Sequence, residues 1–241
     1  MNYLKSEHLK FKRTISNKLL FIIPLITAFF AWIVGGFIGF QYMTFYWWYA
    51  FLLPGAIAIL CSLSHRKEES AGKYYSVFSM PMSLSKFETA KVAILFEKLI
   101  VAAVFLALLT SISNFISPAT AVYTVSQNVA GSIGIILASV WQIPFCLYLA
   151  RKTGLFLPII LNTILGIFLP IVLGNTAAWY FVPYCWAAKL AEPLMGIELN
   201  GTFAGNYGFS ATIFVSVLLS LLLFAILTLI DARDFSRRGA K

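Results

Sequence analysis

Glu68-Glu69-Ser70-Ala71-Gly72-Lys73 sets two adjacent carboxylates before a basic residue, a grouping of the kind that can move protons or polarise a bond. Three features of the same residues argue against catalysis. The base is a lysine, which lacks the planar fork of arginine. The pair lies in a charged loop, where carboxylates are solvated rather than perturbed. No histidine falls inside an apolar run to act as a second partner. The chain's two histidines, His8 and His65, both lie in polar segments. Cys61, Cys146 and Cys185 have no metal-ligand spacing and read as small apolar fillers. The sequence contains no G-x-x-x-x-G-K-[ST], no H-E-x-x-H and no G-x-S-x-G, so phosphate-loop ATP binding, zincin chemistry and an esterase elbow are excluded by motif. We therefore expect no enzyme activity, no metal and no cofactor on this chain.

The elements that must position these residues are apolar. Of 241 residues 60% are hydrophobic and 11% charged, against about a quarter charged in soluble domains. A chain of this size cannot bury that much apolar surface in a globule, so it is read as one integral membrane domain spanning 1–241. Six apolar segments of about twenty residues are each long enough to cross a bilayer as a helix: 19–40, 45–64, 92–115, 129–150, 154–174 and 209–230. The first two are expected to join in a tight hairpin at Gln41 to Thr44. Kinks are expected at Pro54, Pro144 and Pro170. The first apolar run is long, begins only at Leu19 and lacks a small-residue cleavage pattern, so no cleavable signal peptide is expected. Residues 1–18, with Leu4, Phe11 and Ile15 spaced for one face, read as an interfacial amphipathic helix.

Charge orients the spans. With residues 1–18, the central loop, Lys98 at the inner end of the third span, Arg151-Lys152 and the C-terminal tail on one side, all but Lys189 of the 18 Lys and Arg residues share it. The positive-inside rule then places both termini in the cytoplasm. The net charge of +9 suits anionic lipid rather than nucleic acid, because the basic residues flank the apolar runs. Within the spans only Glu97 and Lys98, at an inner end, are ionisable. That argues against an ion-driven carrier, for which costly intramembrane charges are needed.

The central cytoplasmic segment, 65–91, is the longest polar stretch between apolar runs. Tyr74, Tyr75, Val77 and Phe78 recur at helical spacing, which predicts a short lateral helix between two spans. Met80-Pro81 ends it. Ser85-Lys86-Phe87-Glu88 reads as a capping box, placing the next helix start near Lys86. On the outer side, 175–208 gathers Trp179, Tyr180, Phe181, Tyr184 and Trp186 beside Pro183. It reads as short re-entrant helices, with a break at Pro193 and a turn at Asn200-Gly201. Trp179, Tyr184 and Trp186 are candidates for interface anchoring or substrate contact.

Two resemblances follow from these residues. Glu68 to Lys73 resembles the Glu-Glu-x-x-x-Arg motif of intramembrane CAAX-type proteases, with Lys in the place of Arg. More of the chain resembles the type 2 ABC exporter permeases. There the match runs through Glu68, Glu69, Gly72, Tyr75 to Phe78, Pro81, Ser83 and Lys91. The N-terminal MNYLKSEHLKFKRT and the late PYCW…PLMGIELNG narrow it to the lantibiotic-immunity permeases. The resemblance implies an all-α, six-span subunit of a bacterial plasma membrane. It implies that Glu68, Glu69, Gly72, Tyr74, Tyr75, Phe78, Met80 and Pro81 form or flank a coupling helix that docks on a separate ATPase subunit. ATP and Mg would be bound by that partner. It further implies a second permease subunit, identical or related, and an amphipathic antimicrobial peptide expelled outward. The competing class is a membrane scaffold or sensor without transport.

Overall fold

In the computed structural model, residues 3–12, 14–72, 74–79, 81–206 and 208–239 are described, and the elements among them are helical apart from one isolated β-bridge, Ile197 to Phe203. The chain opens with α1 (Tyr3–Phe11), a short helix that packs on the start of the long central helix rather than entering the apolar bundle. Its Phe11 is buried while Leu4 faces outward, so the amphipathic face is narrower than the spacing suggested. Ile15 to Lys18, expected to extend this lateral piece, instead begin α2 (Ile15–Trp47).

The long run that follows turns back on itself. From α2 it passes through a π-helical turn (Trp48–Leu52) into α3 (Leu53–Ser70), 56 residues in all. As one straight helix this run would be about 84 Å long, far beyond a hydrocarbon core of about 30 Å. It breaks at Gly36, whose φ of 57° and ψ of −154° are open only to a residue without Cβ. The two arms then lie antiparallel. The rings of Phe30 and Trp47 sit 5.0 Å apart, where a straight helix would hold them about 25 Å apart along its axis. Leu19, Ile22 and Ile26 likewise face Phe51, Gly55 and Ile59 across one groove. The hairpin expected at Gln41 to Thr44 thus occurs five residues earlier. Gln41 and Thr44 stay helical because both are buried and satisfied. Thr44 donates to the Phe40 carbonyl at 2.6 Å. Gln41 Oε1 accepts the Val122 and Tyr123 N–H groups, each at 2.7 Å.

After α3 come the four-residue α4 (Tyr75–Phe78) and then α5 (Leu84–Ile116). The cap of α5 is Ser83, whose hydroxyl accepts the Lys86 N–H at 3.4 Å. The capping box expected at Ser85 and Glu88 does not form, and Glu88 turns inward. Next, α6 (Val125–Ser139) and α7 (Gln142–Thr153) meet at a 45° bend. The bend lies just before Pro144, which falls in the first turn of α7, where its missing N–H leaves no bond unmade. Then follow α8 (Phe156–Leu173), α9 (Cys185–Met195) and α10 (Ala211–Gly239). Pro193 does not break α9, which continues to Met195.

Among the described residues four helices are long and apolar enough to cross a membrane, or five if the bent α6–α7 pair is one span. Large apolar side chains such as Phe29, Ile38, Phe168 and Leu222 point outward. The inner contacts are made by Phe45, Trp48, Leu53, Leu106, Ile135 and Leu190. Apolar side chains thus face both the interior and the outside, as expected where lipid is the solvent.

Candidate functional site

The site lies where α3, α4, α5, α7 and α10 meet at the charged end of the bundle. Its outer layer is α4. Gly72, with φ of 114°, frees the chain to turn out of α3. Tyr74 is the only non-glycine among the described residues with a positive φ, 66°. A left-handed tyrosine persists only where its surroundings over-determine it. Here they do. The phenol is 2.9 Å from His65 Nδ1, and the ring stacks on His65 and on Phe78. Burial pushes the Tyr74 phenol well above its usual range, so it stays neutral. If it donates to Nδ1, His65 Nε2–H is left facing the Glu69 carboxylate at 3.6 Å.

The expected coupling residues therefore divide. Tyr74 and Val77 are buried, and Phe78 is half-buried against Phe235 of α10 at 5.5 Å. Tyr75 is 74% exposed and is the one large apolar side chain of α4 turned to the outside. Gly72 and Pro81 are exposed beside it. Met80 lies outside the described residues, as does Lys73. Glu68 and Glu69 are not at the head of the lateral helix; they fall in the last turn of α3. Glu68 is buried and accepts from Lys10, which also bonds Glu7 at 2.5 Å, while Lys67 reaches the Lys10 carbonyl. Glu68 thus straps α1 to α3. Glu69 remains largely solvated. The paired acids do not act as a pair. A second strap joins His8 of α1 to Glu97 of α5 at 3.3 Å, and Glu97 also accepts from Lys98 at 3.0 Å.

Beneath α4 lies a group that sequence reasoning did not assemble. Arg151 of α7 donates to Glu88 of α5 at 2.6 Å and to Asp231 of α10, and Lys91 sits 3.7 Å from the other Glu88 oxygen. All four side chains are at most 2% exposed. The Arg151 guanidinium also lies over the Phe235 ring at 5.5 Å, and Lys91 over Phe87 at 4.8 Å. Glu88, Lys91, Arg151 and Asp231 each fall just past the end of an apolar run, so they escaped a search confined to the spans. The available signal was sign: Glu88 and Asp231 are acids at ends where the positive-inside rule favours cations. Their burial also narrows the argument from uncharged spans, since the bundle does hold ionisable groups at its charged end.

At the other end, Trp179 and Trp186 are buried and Tyr184 half-buried, packed around Trp141 rather than displayed. Trp141 meets Tyr184 edge-on at 4.9 Å, and Trp186 donates to the Trp179 carbonyl at 3.1 Å. The Tyr184 hydroxyl donates to Asn162 Oδ1 at 2.8 Å. Asn162 in turn donates to the Pro54 carbonyl at 2.7 Å and to Gln142 at 2.8 Å. This buried network ties α3, α7, α8 and α9 together at the bend. Burial pushes the Tyr184 phenol up, which keeps it a donor. Tyr184→Phe should leave Asn162 Oδ1 unpaired and lower stability by about 1–3 kcal/mol, read as an earlier thermal transition in detergent; an unchanged transition would remove the network from the packing account. Among the described residues, the aromatics exposed on this segment are Tyr180 and Phe181. Asn200-Gly201 forms the expected turn, with Gly201 N–H bonded to the Glu198 carbonyl at 2.9 Å.

The fold and site define a multi-pass, all-helical membrane protein with a four-residue helix braced against the bundle. The chain belongs to the ABC-2 family of transporter proteins: the family model described as ABC-2 family transporter protein matches residues 3–169, from α1 into α8. Comparison with curated proteins and with solved structures gives no match. Membership makes the chain a membrane permease of an ABC transporter, a component generally not catalytic itself, and implies ABC ATPase partners.

Proposed function

We propose that the chain is the permease subunit of a bacterial ABC exporter and that α4 is its ATPase-docking element, with Tyr75 as the principal contact. The observation that carries this is the division of α4 into two faces. Tyr74, Val77 and Phe78 are held by the bundle, and Tyr75 is presented outward. A single aromatic anchor entering a partner's groove is the form that helix docking takes. ATP and Mg would be held by the partner, and a second permease, identical or related, would complete the path. The cargo we propose is an amphipathic antimicrobial peptide of the lantibiotic class, drawn from the membrane and expelled outward, which would confer immunity. The similarity of the N-terminal and late segments to lantibiotic-immunity permeases supports this cargo.

For topology we propose six crossings in the bacterial plasma membrane with both termini in the cytoplasm. The reversal at Gly36 supports counting Ile15–Ser70 as two crossings, and the α6–α7 pair as one bent crossing. The 175–208 segment, with α9, would be re-entrant on the outer side. The charge asymmetry predicts that, in a cysteine-free background, a cysteine replacing Tyr75 labels only from inside and one replacing Asn200 only from outside. Labelling of both from one side would refute six crossings.

The functional reading is tested by affinity purification of the tagged full-length chain from its native membranes. A stoichiometric subunit carrying a G-x-x-x-x-G-K-[ST] motif is expected. A chain that purifies alone or only with non-ATPase proteins would point to a scaffold or sensor instead.

A further inference from the structure

We propose that movement of the α4 segment is delivered to the last membrane helix, α10, with Phe235 and Asp231 as the positioning residues that receive it. This rests on the reading of α4 as the ATPase-docking element and extends it to the direction in which the work goes.

Phe235 is 1% exposed and stands at the centre of an aromatic cluster. Its ring lies 5.5 Å from Tyr74, 5.5 Å from Phe78 and 5.9 Å from Phe87. The first two belong to the lateral segment and the third to α5. Asp231 lies one turn earlier on the same face of α10, and Arg151 binds Asp231 while covering the Phe235 ring. One face of one turn therefore holds α4, α5 and α7 together.

The covalent routes out of α4 are softer. Toward α3 the chain passes through the turn at Ala71 and Gly72, and toward α5 through the non-helical stretch at Pro81 to Ser83. Neither is a rigid lever. A close-packed aromatic contact is, because such packing has low compressibility and shifts between discrete arrangements rather than deforming. From Phe235 the helix runs back through the membrane to Ala211, packing on α5, α6, α7 and α9 on the way. Work entering at Phe235 thus arrives at α9, the outer segment, through a single continuous helix. The left-handed Tyr74 fits this role, since its strained backbone is held by the same contacts that transmit the movement.

The test uses the permease–ATPase complex purified from native membranes and placed in lipid nanodiscs. In a cysteine-free background a reporter cysteine replaces Phe209, an exposed residue just before α10. Its labelling rate by a membrane-impermeant maleimide is compared with and without Mg-ATP plus vanadate. Wild-type Phe235 should give a nucleotide-dependent change in rate. Phe235→Ala should reduce that change at least fivefold while the ATPase still co-purifies, and Asp231→Asn should reduce it in the same sense. Tyr75→Ala should instead lower the amount of ATPase that co-purifies. A full nucleotide response in Phe235→Ala with ATPase bound would overturn the inference and leave docking intact. Failure of wild-type complex to contain an ATPase would overturn the docking reading and this inference with it. If Phe235→Ala does not reach the membrane, Phe235→Leu keeps the apolar volume and loses the ring contacts. A two- to threefold smaller response is then expected, and an undiminished one overturns the proposal.

Discussion

Arg151→Met is expected to destabilise the protein by about 3–5 kcal/mol, the typical penalty for removing one partner of a buried ion pair. The reason is local. Arg151 is the shared partner of Glu88 and Asp231, and all three side chains are at most 2% exposed. Without the guanidinium two carboxylates remain buried, and only Glu88 keeps Lys91 near, at 3.7 Å. Against a typical total stability of about 5–15 kcal/mol the loss is large enough to lower membrane abundance and to bring the thermal transition down sharply. Arg151→Lys should recover only part of it, because one ammonium cannot serve two carboxylates as a planar fork does. Neutralising the orphaned acid in the Arg151→Met background, with Asp231→Asn, should restore most of the stability, since Glu88 still has the buried Lys91 as its counter-charge. Thermal unfolding of the three variants and the wild type by size-exclusion in detergent reads all of this. An Arg151→Met protein melting with the wild type would show that the ion group contributes nothing.

Tyr75→Ala is expected to weaken ATPase docking by about 2 kcal/mol, or about 30-fold in affinity. Abundance and thermal stability should not change, because the side chain is 74% exposed and touches no core cluster. Tyr75→Phe should retain most of the affinity if the ring fills an apolar pocket. Phe78→Ala makes a useful contrast: Phe78 packs on Tyr74 and Phe235 inside the protein, so its loss should loosen α4 on the bundle and lower stability. Capture of the ATPase on immobilised membranes, titrated with salt-washed partner, separates the two. Wild-type capture by Tyr75→Ala would remove Tyr75 as the anchor.

Much of this protein was legible without coordinates. Composition dictated the solvent, because no soluble fold can hide so many apolar residues. Run length dictated helices, because a backbone in lipid must satisfy its own hydrogen bonds. A short helix after Gly72 followed from a local change of periodicity between two apolar runs, and the structure has one at Tyr75–Phe78. The turn at Asn200-Gly201 was equally local.

Where neighbours in space competed with neighbours in sequence, the local reading failed. The first hairpin turns at Gly36 and not at the polar Gln41, because Gln41 is occupied by the N–H groups of Val122 and Tyr123, some eighty positions away. Glu88 was read as a cap and is instead a partner of Arg151. Glu68 and Glu69 look alike in the sequence, yet one straps α1 to α3 and the other faces solvent. Trp179 and Trp186 carry the composition of an interfacial belt and are enclosed by Trp141 and its neighbours. The sequence by itself determined what each segment is, since solvent preference and helix formation depend on residues within a few turns. Only the tertiary structure decided which charges are buried together and which face of α4 is free, because burial and pairing depend on the helix that packs opposite.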